Sequence, residues 1–212
     1  MSARAEHLVF KPHWHVEARP ARVVIAVLVL LVATLTSCAK SAHPADAAAP
    51  VATSTVHNGA DIAFAQMMIP HHQQAVVLAA MVPAHTANPE LRVMATHIGA
   101  SQQAEIRTLN GLLATWSQPT VDPNGPSATQ HSPMMMGMVD QATLDRLHTL
   151  NDQAFDTLWV TSMIGHHQGA ITMAQDEIAH GQSPDAMHTA TLIVTAQQRE
   201  IAQMTHLISA AQ

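Results

Sequence analysis

Met68-Ile69-Pro70-His71-His72-Gln73 and Met163-Ile164-Gly165-His166-His167-Gln168 stand 95 residues apart in a chain of 212. Each places a methionine four positions before the second member of a histidine pair. Sliding the chain by 95 also superimposes Asp61 on Asp156, Ala75 on Ala170, Ala79 on Ala174, His85 on His180 and Pro89 on Pro184. The match runs on without a gap: Ala95, Thr96, Ile98, Gln102, Gln103, Glu105, Ile106 and Leu112 meet Ala190, Thr191, Ile193, Gln197, Gln198, Glu200, Ile201 and Leu207. Identities in register over this length mark an internal duplication, which governs the fold before any single helix is assigned.

Within each copy, apolar residues recur at helical rather than strand spacing. The first helical segment is expected from about Asp61 to Met81 and from about Asp152 to His180. The second opens at Asn88-Pro89-Glu90 and at Ser183-Pro184-Asp185, a capping residue followed by proline in the first turn and then an acid. Trp116 to Met138 is rich in proline and carries the turn signal Asp122-Pro123-Asn124-Gly125-Pro126; a short helix over Asp140 to Leu150 follows. Neither hairpin can bury its apolar stripe alone, so the economical solution is all-α, a four-helix bundle of two duplicated hairpins with a short extra helix before the third main helix. Pro70 should bend its helix, and Gly165 weakens the backbone at the same place in copy two. Copy one spans 58–116, a Met/Pro-rich linker 117–139, and copy two 140–212.

The beginning of the chain has another character. Arg4, Lys11, Arg19 and Arg22 precede an uninterrupted apolar run from Val23 to Val32, which leads to Leu35-Thr36-Ser37-Cys38. That is the layout of an export signal over 1–37, its apolar stretch shorter than the ~20 residues a spanning helix needs. Cys38 is the one cysteine of the chain and resembles the lipidated cysteine of a bacterial lipobox; an ordinary cleaved signal and an uncleaved anchor are the plainer alternatives. Residues 38–57, rich in Ala, Pro, Ser and Thr, have too little apolar surface to fold and read as a tether. From Cys38 onward, 5 basic residues face 13 acidic ones, a formal net charge of −8, so a nucleic-acid partner is not expected.

The chemistry lies on the helices. At about 100° per residue, Asp61, Met68, His72 and Ala79 fall within about 20° of one line, and Asp156, Met163, His167 and Ala174 repeat it. His71 and His166 lie on the adjacent stripes, beside Phe64 and Leu78 and beside Trp159 and Met173. Glu105 and Glu200 sit on the apolar seams of the second helices, where a carboxylate is costly unless a charged or hydrogen-bonding group meets it. The groups placed to do so are the histidines, or a cation among them. Thioether favours Cu(I), imidazole accepts several transition ions and carboxylate favours harder ones, so Met68 with His72 and Met163 with His167 lean towards copper. In the linker, His131 precedes Met134, Met135, Met136 and Met138, which have no evident packing role and form a candidate secondary soft-metal cluster.

Plainer readings stand beside these. A histidine on an apolar stripe is most often a satisfied core residue, the glutamates can be helix-to-helix hydrogen-bond partners of the histidines, and the linker methionines can be a spacer. Met81, Met94, Met187 and Met204 lie at core positions suited to packing, and His85 and His180 are expected at the surface. No serine or cysteine accompanies the histidines as a nucleophile, so an enzyme is not expected.

Asp61, Phe64, Met68, Ile69, His71, His72, Gln73 and Ala75, with Asp156, Trp159, Met163, Ile164, His166, His167, Gln168 and Ala170, resemble the paired signature of the bacterial family known as domain of unknown function 305. The Gln-Xaa-Glu-Ile pattern at Gln103 to Ile106 and Gln198 to Ile201 fits it as well. The resemblance covers about Asn58 to Ala210. It implies a ferritin-like helical bundle, exported and often membrane-attached, with some members tied to copper binding and tolerance. Carried over by position, the candidate ligands are Met68, His71, His72, Met163, His166 and His167, with Asp61, Asp156, Glu105 and Glu200 as nearer or more distant carboxylates. Met67 is matched by Ser162, so any use of it is confined to copy one.

The leading expectation is a non-enzymatic lipoprotein outside the cytoplasmic membrane that binds Cu(I)/Cu(II) for sequestration or tolerance, its partners being the metal ion and, through the lipid, the membrane. A di-iron or di-manganese carboxylate oxidase is the enzymatic alternative, disfavoured because neither histidine pair has a glutamate three residues before it. A non-metal envelope interaction protein is the third.

Overall fold

The computed structural model describes residues 55–122 and 136–210; the export-signal and tether readings, Cys38, His131, Met134 and Met135 lie outside them. Five helices follow in order: α1 (Gly59–His85), α2 (Pro89–Thr115), α3 (Gln141–Thr149), α4 (Asp152–His180) and α5 (Pro184–Ala210). There is no strand among the described residues. α1 pairs with α2 and α4 with α5, and the hairpins meet mainly through α1 on α4. This is the expected bundle, with α3 as the short additional helix.

The starts of α2 and α5 lie where the capping signals put them. Asn58 caps α1 by accepting from Ala60 and Asp61 N–H, and Asn88 caps α2 by accepting from Glu90 and Leu91 N–H. The Ser183 hydroxyl accepts from Ala186 N–H at the head of α5, and Asp140 accepts from Thr143 N–H to start α3. Such caps contribute about 1 kcal/mol each. Helix α1 is longer than expected and runs through Pro70 and Pro83; a proline lacks the N–H that would return to the preceding turn, yet neither breaks the helix.

The core is in two parts. One apolar cluster joins Ala75, Leu78 and Val82 of α1 to Leu91 and Ile98 of α2, Phe155, Trp159 and Met163 of α4, and Met204 of α5. The other joins Phe64, Met68 and Ile69 to Ile106 and Leu109, Ala170 and Ala174, and Ala190 and Ile193. The first half of α1 therefore faces the second half of α4. Between the clusters lies a polar belt: His71, His72, Gln73, Gln74, Gln102, His166, His167, Gln197 and Glu200 are all buried. The paired motifs sit at the waist of the bundle, with Met68 and Met163 bounding the belt from opposite sides.

The linker closes this waist on one side. Gln74 donates to Val139 O and accepts from Val139 N–H, both at 2.8 Å. Gln73 donates to Asp122 O. Gly137 adopts φ +82°, and a Cβ added at Gly169 would meet the Met136 carbonyl oxygen; only glycine lets the strap lie this close on α4. Every residue from Met68 to Ala75 is consequently buried.

Candidate metal centre

Across the waist, the side chains form a row. His72 Nε2 lies 2.7 Å from the Glu105 carboxylate, though its approach is off the hydrogen-bond line. His71 and His166 touch across the hairpin interface with ring centroids 3.8 Å apart. His167 Nε2 makes a 2.7 Å hydrogen bond to Glu200, and each ring pair within a motif is about 6.3 to 6.4 Å apart. The row thus reads Glu105, His72, His71, His166, His167, Glu200, with the duplicated inner imidazoles at its centre.

Burial holds the inner pair neutral. For His71, desolvation first and then the neighbouring His72 push the imidazole down to about 3, against the opposing bond to the Met136 carbonyl. For His166, desolvation first and then His71 hold it well below the usual histidine range. Neutral imidazole is the form that ligates metal.

The tautomers follow from the partners. His71 Nε2 donates to Met136 O at 3.1 Å, while His72 and His167 present Nε2 to carboxylates. In His71 and His167, whose Nε2 atoms are bonded, the nitrogen left with a lone pair is Nδ1. The Nδ1 atoms of all four histidines are buried and without a hydrogen-bond partner, and so are His72 Nε2 and His166 Nε2. An unpartnered buried polar atom costs about 1–3 kcal/mol, so these are nitrogens for which the surrounding side chains supply no partner. An imidazole whose second nitrogen is held by a carboxylate or carbonyl is the usual arrangement of a metal-binding histidine. Glu105 and Glu200 orient the rings from behind.

Among the described residues, no three His, Cys, Asp or Glu side chains close around one point. The side chains that remain near the row with donor atoms for a soft ion are the imidazoles and two methionine sulfurs. Met68 and Met163, both fully buried, lie one turn from the histidines on α1 and α4, on the faces of His72 and His167.

Asp61 and Asp156 require a correction as candidate ligands. They share a stripe with His72 and His167 but not a height: ten residues of helix separate Asp61 from His71, about 15 Å along the axis. Asp61 instead accepts N–H bonds from Asn58, Gln182 and Ser183, clamping the α4–α5 turn. Burial, the largest single influence, raises its pKa, but those donors and a bond to the Glu177 carboxyl together outweigh it and leave the pKa lowered. Glu177 is pushed up to about 8 by burial first and then by Asp61. Asp156 accepts from the Asn88 side chain at the other end.

Other residues fall outside the row. His180 is exposed as expected, but His85 is only partly so, bonded to Leu150 O and stacked on Phe155. His97, which had no expected role, lies on the surface 3.5 Å from Glu200. Met138 is half-buried and Met136 exposed. The strap residues Gln74, Gly137 and Gly169 were not anticipated; the one sequence signal was that Gln74 and Gly169 break the repeat immediately after the matching His-His-Gln.

The match to known proteins extends over this whole site. The family model described as domain of unknown function (DUF305) matches residues 61–208. The chain belongs to the DUF305 family. A DUF305 fragment from Deinococcus radiodurans is 31% identical, with TM-score 0.63 over 72% of this chain and 97% of that one. A DUF305 protein of Streptomyces coelicolor is 28% identical, with TM-score 0.63 over 71% and 91%. CopM in its Cu(II)-bound form is 30% identical, with TM-score 0.61 over 72% and 97%. CopM has also been solved bound to Cu(I) and to Ag. No curated protein matches. None of the described helices is long and apolar enough to cross a membrane.

Proposed function

We propose that this DUF305 protein binds copper without catalysis, on the extracytoplasmic side of the cell membrane, for sequestration or tolerance. His71, His72, His166 and His167 bind Cu(I) or Cu(II) through Nδ1, with Met68 and Met163 as thioether donors and Glu105 and Glu200 holding the rings. Cys38 carries the lipid that keeps the protein at the membrane, and the linker residues His131, Met134, Met135, Met136 and Met138 add soft-metal capacity. The observation that carries this reading is the row of buried imidazoles whose Nδ1 atoms are all bare. The copper-bound relative CopM and a Streptomyces coelicolor relative assigned to the secreted class support it.

Titration of the purified chain with Cu(I), Cu(II), Zn(II) and Fe(II) tests it. Copper is expected to be preferred, and the H71A/H72A/H166A/H167A variant is expected to lose at least tenfold in copper affinity. Unchanged binding in that variant overturns the proposal, and tight Fe(II) binding with oxygen consumption replaces it with an oxidase.

A further inference from the structure

A cleft of about 260 Å³ opens beside the waist, between α1, α4 and the linker strap, and its lining includes Met67, Met136, Met173, Asp176 and Glu177. Three methionines from three separate segments of the chain share this lining, and Met67 and Met173 also pack on the apolar cluster beneath it. Met67 is one turn before His71 on α1, and Met173 is two turns after His166 on α4, so helical spacing keeps each on the side of its histidine. Because α1 and α4 are antiparallel, both displacements run towards the same end of the bundle. Met136 joins the cleft to the row: its carbonyl accepts from His71 Nε2, while its half-exposed side chain lines the cleft. The Gly137–Gly169 contact and the Gln74–Val139 clamp hold the strap in that place.

We propose that Met67, Met136 and Met173 form a second metal site in this cleft, for a soft monovalent cation of the Cu(I) or Ag(I) type. Thioether sulfur selects such ions over harder divalent ones, and Asp176 lends the cleft negative charge, whereas Glu177, pushed up to about 8, does not at neutral pH. The site has no twin, since Ser162 and Leu78 occupy the positions matching Met67 and Met173. The duplication therefore accounts for the histidine row but not for the cleft. The backbone of Met136 is what links the cleft to His71.

This inference rests on the copper reading for its cargo but uses different ligands, so the two can fail separately. Ag(I) is titrated into the full chain carrying ¹³C-methyl methionine. The methyl resonances of Met67, Met136 and Met173 are expected to shift together, and the M67L/M136L/M173L variant is expected to bind one Ag(I) fewer per chain. Leucine keeps the apolar volume, and the wild-type methyl shifts give a reading even if the variant folds poorly. The H71A/H72A/H166A/H167A variant should keep the shifts of these three methyls. Unmoved methyls, an unchanged silver count in the methionine variant, or shifts that vanish with the histidines would each overturn the proposal.

Discussion

The two hairpins bring the same residues to the waist and treat them differently. In hairpin one, His71 is tied to the strap by its bond to Met136 O, Gln73 and Gln74 are buried under the linker, and Glu105 remains part-exposed. In hairpin two, His166 has no bond to the strap among the described residues, Gln168 is exposed, and Glu200 is buried while holding His167 and approaching His97. Duplication supplied the donors, and the unduplicated linker broke the symmetry. One side was thereby sealed and the other left with the barer imidazole.

The largest expected effect concerns acid. His71 and His166 have folded pKa values below the unfolded 6.5, to about 3 for His71. Below pH 6.5 the unfolded chain therefore binds protons that the native one does not. The stability from these groups is complete above about pH 6.5 and is lost as pH falls towards 3. With both rings neutral in the fold and charged in the unfolded chain, the slope approaches about 2.7 kcal/mol per pH unit. Urea unfolding of the metal-free protein between pH 7 and 4.5 should show this fall, and H166Q should roughly halve the slope. An equal slope in H71Q/H166Q would remove the inner pair as its origin.

A second comparison sets the two ends against each other. Asp61 collects three backbone N–H groups, two of them from the turn of the other hairpin, whereas Asp156 holds one side-chain amide. D61A should cost about 3 kcal/mol, since it leaves buried donors unmet, and D156A under about 1 kcal/mol. Thermal or urea unfolding measures both. Equal losses would mean that the clamp contributes nothing particular, and lost copper affinity in D61A at full folding would return the aspartates to the metal site.

These aspartates also show where the sequence stops being legible. The repeat register, the caps at Asn88 and Ser183, the short third helix and the burial of both histidine pairs could all be read from local pattern, because capping and amphipathic spacing act within a few residues. A helical wheel reports the face of a residue and not its height, so Asp61 and His72 looked like neighbours although about two fifths of the 27-residue helix separates them. The strap is nonlocal in the same way. Nothing near Gly169 says that Met136, 33 positions earlier, will lie against it. The thioether cleft depends on that docking, and only Met136 of its three methionines stood out as a candidate.

The smallest effect separates the glutamates, which the sequence left open between ligand and hydrogen-bond partner. Glu200 is 7% exposed and bonds His167 in line, whereas Glu105 is 22% exposed and meets His72 off line. A buried carboxylate raises the basicity of the imidazole it holds, and losing such a partner weakens metal binding by roughly 10–100-fold. Water already screens Glu105 and can replace part of what its charge does for His72. E200Q should therefore lower copper affinity by about tenfold and E105Q by less than about threefold, at unchanged stoichiometry. A lost equivalent in either variant would make that glutamate a direct ligand. The reverse order of affinities would show that hairpin one, beneath its strap, holds the metal more closely than the barer half.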